Sequence, residues 1–129
     1  MTTNALERGR ALIDELNPGF EKAIDATYRD VAPEFAETLI EFAYGRLYAR
    51  PGLDLKTRRL AAVAALTVLG GHTAPQLKAN IVNATSAGAS QKEIAEVIIQ
   101  MSVYGGMPAT INALNSAKEV FAETAAGGD

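Results

Sequence analysis

The chain contains no cysteine, no tryptophan and a single histidine, His72, among its 129 residues. Without a thiol it can form no disulfide, offer no thiolate nucleophile and build no zinc–cysteine or iron–sulfur centre from its own residues. One imidazole is too few for a histidine-based metal site, so no metal is expected. Aromatic residues make up 6% of the chain, so the interior has to come from Ala, Leu, Ile and Val, which the 48% apolar content can supply. Basic character is short as well: the net charge is −3, which argues against a nucleic-acid partner, since that needs a basic face. The most apolar run, Leu60 to Leu69, is far below the roughly 20 residues that cross a bilayer. No basic-then-apolar leader opens the chain. These absences predict a cytoplasmic protein with no membrane contact. The length suits one domain over 1–129, with its core in 33–122 and a frayed tail at 123–129.

What is present is helical spacing almost throughout, and no segment alternates as a strand would. The prediction is an all-α protein. Asn4-x-x-Glu7 has the spacing of a capping box before a first helix ending near Leu16. Asn17-Pro18 reads as the start of a second, running to about Asp30. Pro33 opens a third, with Phe35, Leu39, Phe42 and Ala43 on one face, and Gly45 placed for close backbone approach. A fourth helix follows Asp54 to Leu69. Its apolar residues go nearly all round, which predicts a central, buried element. Gly70-Gly71 ends it. Thr73 starts a fifth helix, and Gly88 stops it. Ser90-x-x-Glu93 is a second capping box, ahead of a stripe of Ile94, Val97, Ile98, Met101 and Tyr104. Gly105-Gly106 breaks that helix, and Pro108 opens the last one. These stripes are a large apolar surface for one small chain, so self-association is expected.

The chemistry has to come from carboxylates, arginines, lysines, amides, hydroxyls and His72. Much of it gathers around "GGHTAPQLKANI", Gly70 to Ile81. Thr73 and Gln76 have capping-box spacing, so their first role is to start a helix. His72 lies in the loop just before that helix, and is either an exposed loop histidine or a proton donor. Asn80 sits mid-helix, where asparagine is mildly unfavourable, on the border of the apolar face of Leu77 and Ile81. An amide there lines a pocket or makes a structural hydrogen bond. Lys56, Arg58 and Arg59 stand in the first turns of the fourth helix, against its dipole. Salt bridges to acids such as Glu37 or Glu41 across a subunit contact would offset Lys56 and Arg59, and Arg58 is the candidate for binding an anion. Glu93 belongs to the capping box. Glu96 follows on the next face as an ion-pair or acid–base group, Gln100 lies one turn on, and Tyr104 reads as core with an anchored hydroxyl.

The stretches "FAYGRLYARPGLDLKTRRL" (Phe42 to Leu60), "PQLKANI" and "GASQKEIAEVIIQMSVYGGMPATINALNSAKEVF" (Gly88 to Phe121) closely resemble the carboxymuconolactone decarboxylase family. The resemblance implies a helical bundle built around a central helical hairpin, assembled as trimers or hexamers. It implies a cofactor-free decarboxylation of a lactone acid in aromatic catabolism, so no cofactor is expected. A sister branch, the alkylhydroperoxidase-D-like proteins, carries a Cys-x-x-Cys-x-x-x-His motif. Its cysteines fall on Thr73 and Gln76 and its histidine on Asn80, so thiol peroxidase chemistry has no atoms to work with here. The decarboxylase branch also places a histidine at Asn80, and often a glutamate at Arg59. Arg58 and Glu96 match recurrent family residues.

Two functions follow as expectations. The first is a lyase on a small anionic lactone or carboxylate. Arg58 would hold the anion with Gln76, Gln100 and Tyr104 lining the site, Asn80 would donate to the oxyanion, and His72 or Glu96 would return the proton. The second is a non-catalytic, oligomeric acid- or protein-binding member of the family, which the changes at Asn80 and Arg59 favour.

Overall fold

The computed structural model describes residues 4–127, and every regular element among them is helical. The elements are α1 (Ala5–Leu16), α2 (Phe20–Tyr28), α3 (Phe35–Leu39), a π-helical stretch (Ile40–Tyr48) continuing α3, α4 (Leu55–Leu69), a 3₁₀ turn (Gly71–Thr73), α5 (Ala74–Ser86), α6 (Gln91–Gln100), α7 (Ser102–Gly105) and α8 (Met107–Gly127). The all-α expectation is met. Contacts divide the chain into two compact units, one ending at Leu55 and one beginning at Lys56. The last helix runs to Gly127, well into the segment expected to fray. The end of that segment, 128–129, lies outside the described residues.

In the first unit α1 packs along the π-helical stretch. Asn4 opens α1: its Oδ1 accepts from the Glu7 amide at 2.8 Å, and its Nδ2 donates to Glu7 Oε1 at 2.7 Å. Glu7 therefore closes the predicted box through the Asn4 side chain. The two helices meet at glycines. A Cβ on Gly45 would lie 1.9 Å from the Ala5 carbonyl oxygen, and one on Gly9 would lie 2.4 Å from that of Ile40. The predicted close approach at Gly45 is thus backbone against backbone. Asn17-Pro18 does not start α2: Gly19, at φ 86°, precedes Phe20 instead, a backbone that glycine adopts without strain. The predicted face of the third helix is also displaced. Phe35 and Phe42 are exposed, while Ala36, Ile40 and Tyr44 are buried. The π-helical hydrogen bonding widens the turn and moves the buried residues to steps of four. Phe20 meets the Tyr44 ring edge-on at 6.0 Å between centroids, and Tyr48 stacks on it at 5.4 Å.

The second unit encloses a core of Val63, Leu77, Ile81, Ala84, Ala89, Ile94, Ile98, Ala113, Ala117 and Val120. Its members come from α4, α5, α6, α8 and Ala89 in the link before α6. Small alanines on α8 let α5 and α6 approach it closely. The capping box of α6 forms as the spacing predicts: Ser90 Oγ accepts from the Glu93 amide at 3.0 Å, and Glu93 Oε1 accepts from the Ser90 amide at 2.9 Å. Two expectations fail here. α4 is not buried all round; only Arg59, Val63 and Thr67 are, one row at steps of four. Tyr104 is not core but 71% exposed. α6 ends at Gln100, and the single turn of α7 carries Tyr104 off the α6 stripe.

Candidate functional site

The site is assembled from α4 and α5. Arg59, in the second turn of α4, is completely buried. An arginine inside a small core is rare unless its charge is hydrogen-bonded. Its Nη1 donates to Asn80 Oδ1 at 3.1 Å. Asn80 Nδ2 in turn donates to the Gln76 carbonyl oxygen, one turn back on α5, at 2.9 Å. Asn80 is thus held at both ends of its amide. Asn83, one turn further along α5, is also buried. The spacing points to a salt bridge at Arg59; the structure gives it this contact with an amide.

The turn before α5 is built differently from its sequence signature. Thr73 does not cap α5. Its Oγ1 lies 2.9 Å from both the Leu66 and the Gly70 carbonyl oxygens and donates to them, so it ties off the end of α4. Gly70, at φ 101°, stops α4 where expected. A Cβ on Gly71 would lie 3.3 Å from Asn112 Nδ2, which brings the start of α8 against this turn. His72, in the same turn, is exposed, as is Gln76. Arg58 is half-buried on α4.

Glu96 and Gln100 are exposed on α6, and Tyr104 on α7. Among the described residues, no side-chain hydrogen bond or ion pair joins His72, Glu96, Gln100 or Tyr104 to another candidate. The structure therefore brings Arg59 and Asn80 together, with Gln76 joined through its backbone oxygen, and joins none of His72, Glu96, Gln100 and Tyr104 to them by a side-chain hydrogen bond or ion pair. Arg59 enters the site through its burial and its contact with Asn80, where its place in the sequence points only to a salt bridge. The available signal was an arginine set against the α4 dipole and an asparagine in mid-helix, each in need of a partner, and these two side chains touch.

Lys56, the other cation assigned a salt bridge, has one. It reaches Glu93 at 2.9 Å, within the same unit. Hydrogen bonding from Lys56, then from the Ser90 amide, holds the Glu93 carboxyl below its ordinary range. A carboxyl lowered in the folded state contributes stability above its unfolded pKa, about 4.3, and loses it as pH falls through the lowered value. The protection of amides at the start of α6, taken relative to the intrinsic exchange rate at each pH, should therefore hold from neutral pH down to about 4.5 and fall below it. In Glu93→Gln that acid-dependent step should vanish.

A groove of about 490 Å³ in the first unit is lined mainly by charge, including Arg10, Asp14, Glu21, Asp25 and Glu37. Arg10 binds Glu21 through both Nε and Nη2 at 2.9 Å. The groove holds none of the candidate residues. No cluster of metal-ligating side chains occurs among the described residues. No helix among them is long and apolar enough to cross a membrane.

Residues 33–119 match the model of the carboxymuconolactone decarboxylase family. The chain belongs to the carboxymuconolactone decarboxylase family. Both site helices lie inside the matched region. The chain is 38% identical over 118 residues to an uncharacterized 15.0 kDa protein of Paracoccus denitrificans from the nqo9–nqo10 intergenic region, covering 92% of this chain and 88% of that one. It is 34% identical to 4-carboxymuconolactone decarboxylase of Acinetobacter baylyi over 92 residues, 71% of this chain and 67% of the relative. It is 32% identical to the nitrosuccinic acid decarboxylase of Metarhizium robertsii over 78 residues, 60% of this chain and 53% of the relative.

Proposed function

We propose that the chain is a decarboxylase of a small organic acid whose carboxylate sits beside an electron-withdrawing group, acting without a cofactor. The observation that carries this is the Arg59–Asn80 contact, a buried cation holding an amide on α5. Two relatives support it by name, one a decarboxylase of a carboxymuconolactone and the other of nitrosuccinic acid. In such a reaction the bond between carbon and the carboxylate breaks and carbon dioxide leaves. The electron pair stays behind, delocalised onto an oxygen of the activating group, and a proton later adds to carbon. A positive field and an N–H donor lower the energy of that oxyanion. Asn80 supplies the donor, Arg59 the field from behind, and Arg58 with Gln76 binds the acid. Gln100 and Tyr104 line the substrate's outer side. Asparagine cannot return the proton near neutral pH, so that step falls to His72 or Glu96.

The exposed Val103, Met107 and Ile111, on α7 and the start of α8, belong to the apolar face that self-association as a trimer or hexamer would cover. The working compartment is the cytoplasm.

Incubating the protein with 4-carboxymuconolactone, and separately with nitrosuccinate, should release carbon dioxide as the substrate absorbance falls. His72→Ala should lower kcat by about 100-fold if His72 is the proton donor, and Glu96→Gln should do so if Glu96 is. Absence of turnover with either acid would leave the second reading, a family member that binds acids without converting them. That reading is favoured by the exposure of His72 and Glu96, neither of which is hydrogen-bonded to Asn80.

A further inference from the structure

Which end of an asparagine amide faces outward is decided by its neighbours, because the two ends have opposite hydrogen-bonding character. At Asn80 both neighbours give the same answer. Arg59 carries only donors, so it requires Oδ1, and it lies 3.1 Å away in the interior. The Gln76 backbone oxygen can only accept, so it requires Nδ2, and it lies 2.9 Å away on the exposed side of the pair. The amide is therefore pinned with its carbonyl inward and its NH₂ outward. One N–H of that NH₂ is used by Gln76, and the second takes part in neither bond.

We propose that Arg59 is a positioning residue that fixes the Asn80 amide so that an N–H, and not a carbonyl, meets the ligand. The subsite on α5 then selects an oxygen acceptor, a carboxylate or an enolate oxygen, and rejects groups that can only donate. Arg59 acts through Asn80, since its own side chain is fully buried. This rests on the reading that the site between α4 and α5 takes an organic acid, and it goes further by naming the atom that meets the acid and the residue that aims it.

The test uses succinate as the probe, with succinamide as its uncharged counterpart, on the whole protein labelled with ¹⁵N. The Asn80 side-chain NH₂ resonances are identified by their loss in Asn80→Asp. Succinate should shift these resonances in saturable fashion, and succinamide should not. Arg59→Met, which removes the donor behind Oδ1, should bind succinate at least tenfold more weakly. Arg59→Lys, which keeps a donor-only cation there, should retain most of the affinity. Thermal unfolding of each variant checks that it is folded. If Arg59→Met does not fold, the comparison of wild type with Arg59→Lys and the Asn80 resonances still decides the matter. Succinate binding that leaves the Asn80 resonances unmoved would overturn the positioning role while the acid-binding reading survives. Unchanged affinity in a folded Arg59→Met would do the same. A wild type that binds no succinate at millimolar concentration would overturn the acid-binding reading itself, and the positioning role with it.

Discussion

Gly45→Ala should cost about 3 kcal/mol of stability, near the upper end for overpacking a close contact. The added Cβ would sit 1.9 Å from the Ala5 carbonyl oxygen and 2.7 Å from its carbonyl carbon. Those are backbone atoms of α1, so no side chain can rotate out of the way, and the two helices have to separate. Separation would uncover Ile40 and Tyr44 on one side and Ala5 and Ile13 on the other, all buried at present. The measurement is a urea or guanidinium midpoint followed by circular dichroism. Gly52→Ala is the control: its Cβ would meet nothing within 4 Å, so a change within about 0.5 kcal/mol is expected. Equal midpoints for the two variants would mean that α1 does not lie against the π-helical stretch as described.

The second large effect is at the site. Asn80→Leu removes the acceptor of a charged donor in the interior while filling nearly the same volume. Loss of a hydrogen bond to a charged group, with that group left buried, costs about 2–3 kcal/mol. Asn80→Asp keeps an acceptor opposite Arg59 and should lose much less. The double variant Asn80→Leu with Arg59→Met removes the buried charge along with its amide partner, and should recover part of the stability lost in Asn80→Leu alone. That recovery, read as a coupling in a double-mutant cycle, is the signature of a direct contact. Strictly additive effects would show that the two side chains do not depend on one another.

The sequence makes the local structure legible where a single turn of chain encodes it. Ser90 and Glu93 find each other because both belong to one helix turn. Gly70 stops α4 because its left-handed φ suits glycine alone. The same locality misleads at Thr73. The spacing to Gln76 is that of a capping box, yet the hydroxyl turns back to the carbonyl oxygens that end α4, because those acceptors also need a donor. Arg59 was illegible for a different reason. A cation in the first turns of a helix reads as one that needs an acid partner, and nothing within one turn of it announces Asn80, 21 positions along the chain. The apolar residues around α4 suggested burial on all sides, but burial is set by which neighbours arrive, and they arrive along the row of Arg59, Val63 and Thr67. Family membership was legible for a further reason, since long motifs carry it and no single contact has to be guessed.

Ala36, Ile40, Tyr44 and Tyr48 stand four residues apart along α3 and the π-helical stretch. In an α-helix, with 100° between residues, such a row would slip sideways round the axis by about 40° at each step. Coiled coils cure the equivalent slippage by winding two helices about one another. Here the wider turns of Ile40–Tyr48 oppose it from within a single helix. The backbone geometry thereby acts as a straightedge: α1 can follow its neighbour from Ala5 to Ile13 without supercoiling, and a short helical pair gains a long seam with no heptad repeat in its sequence.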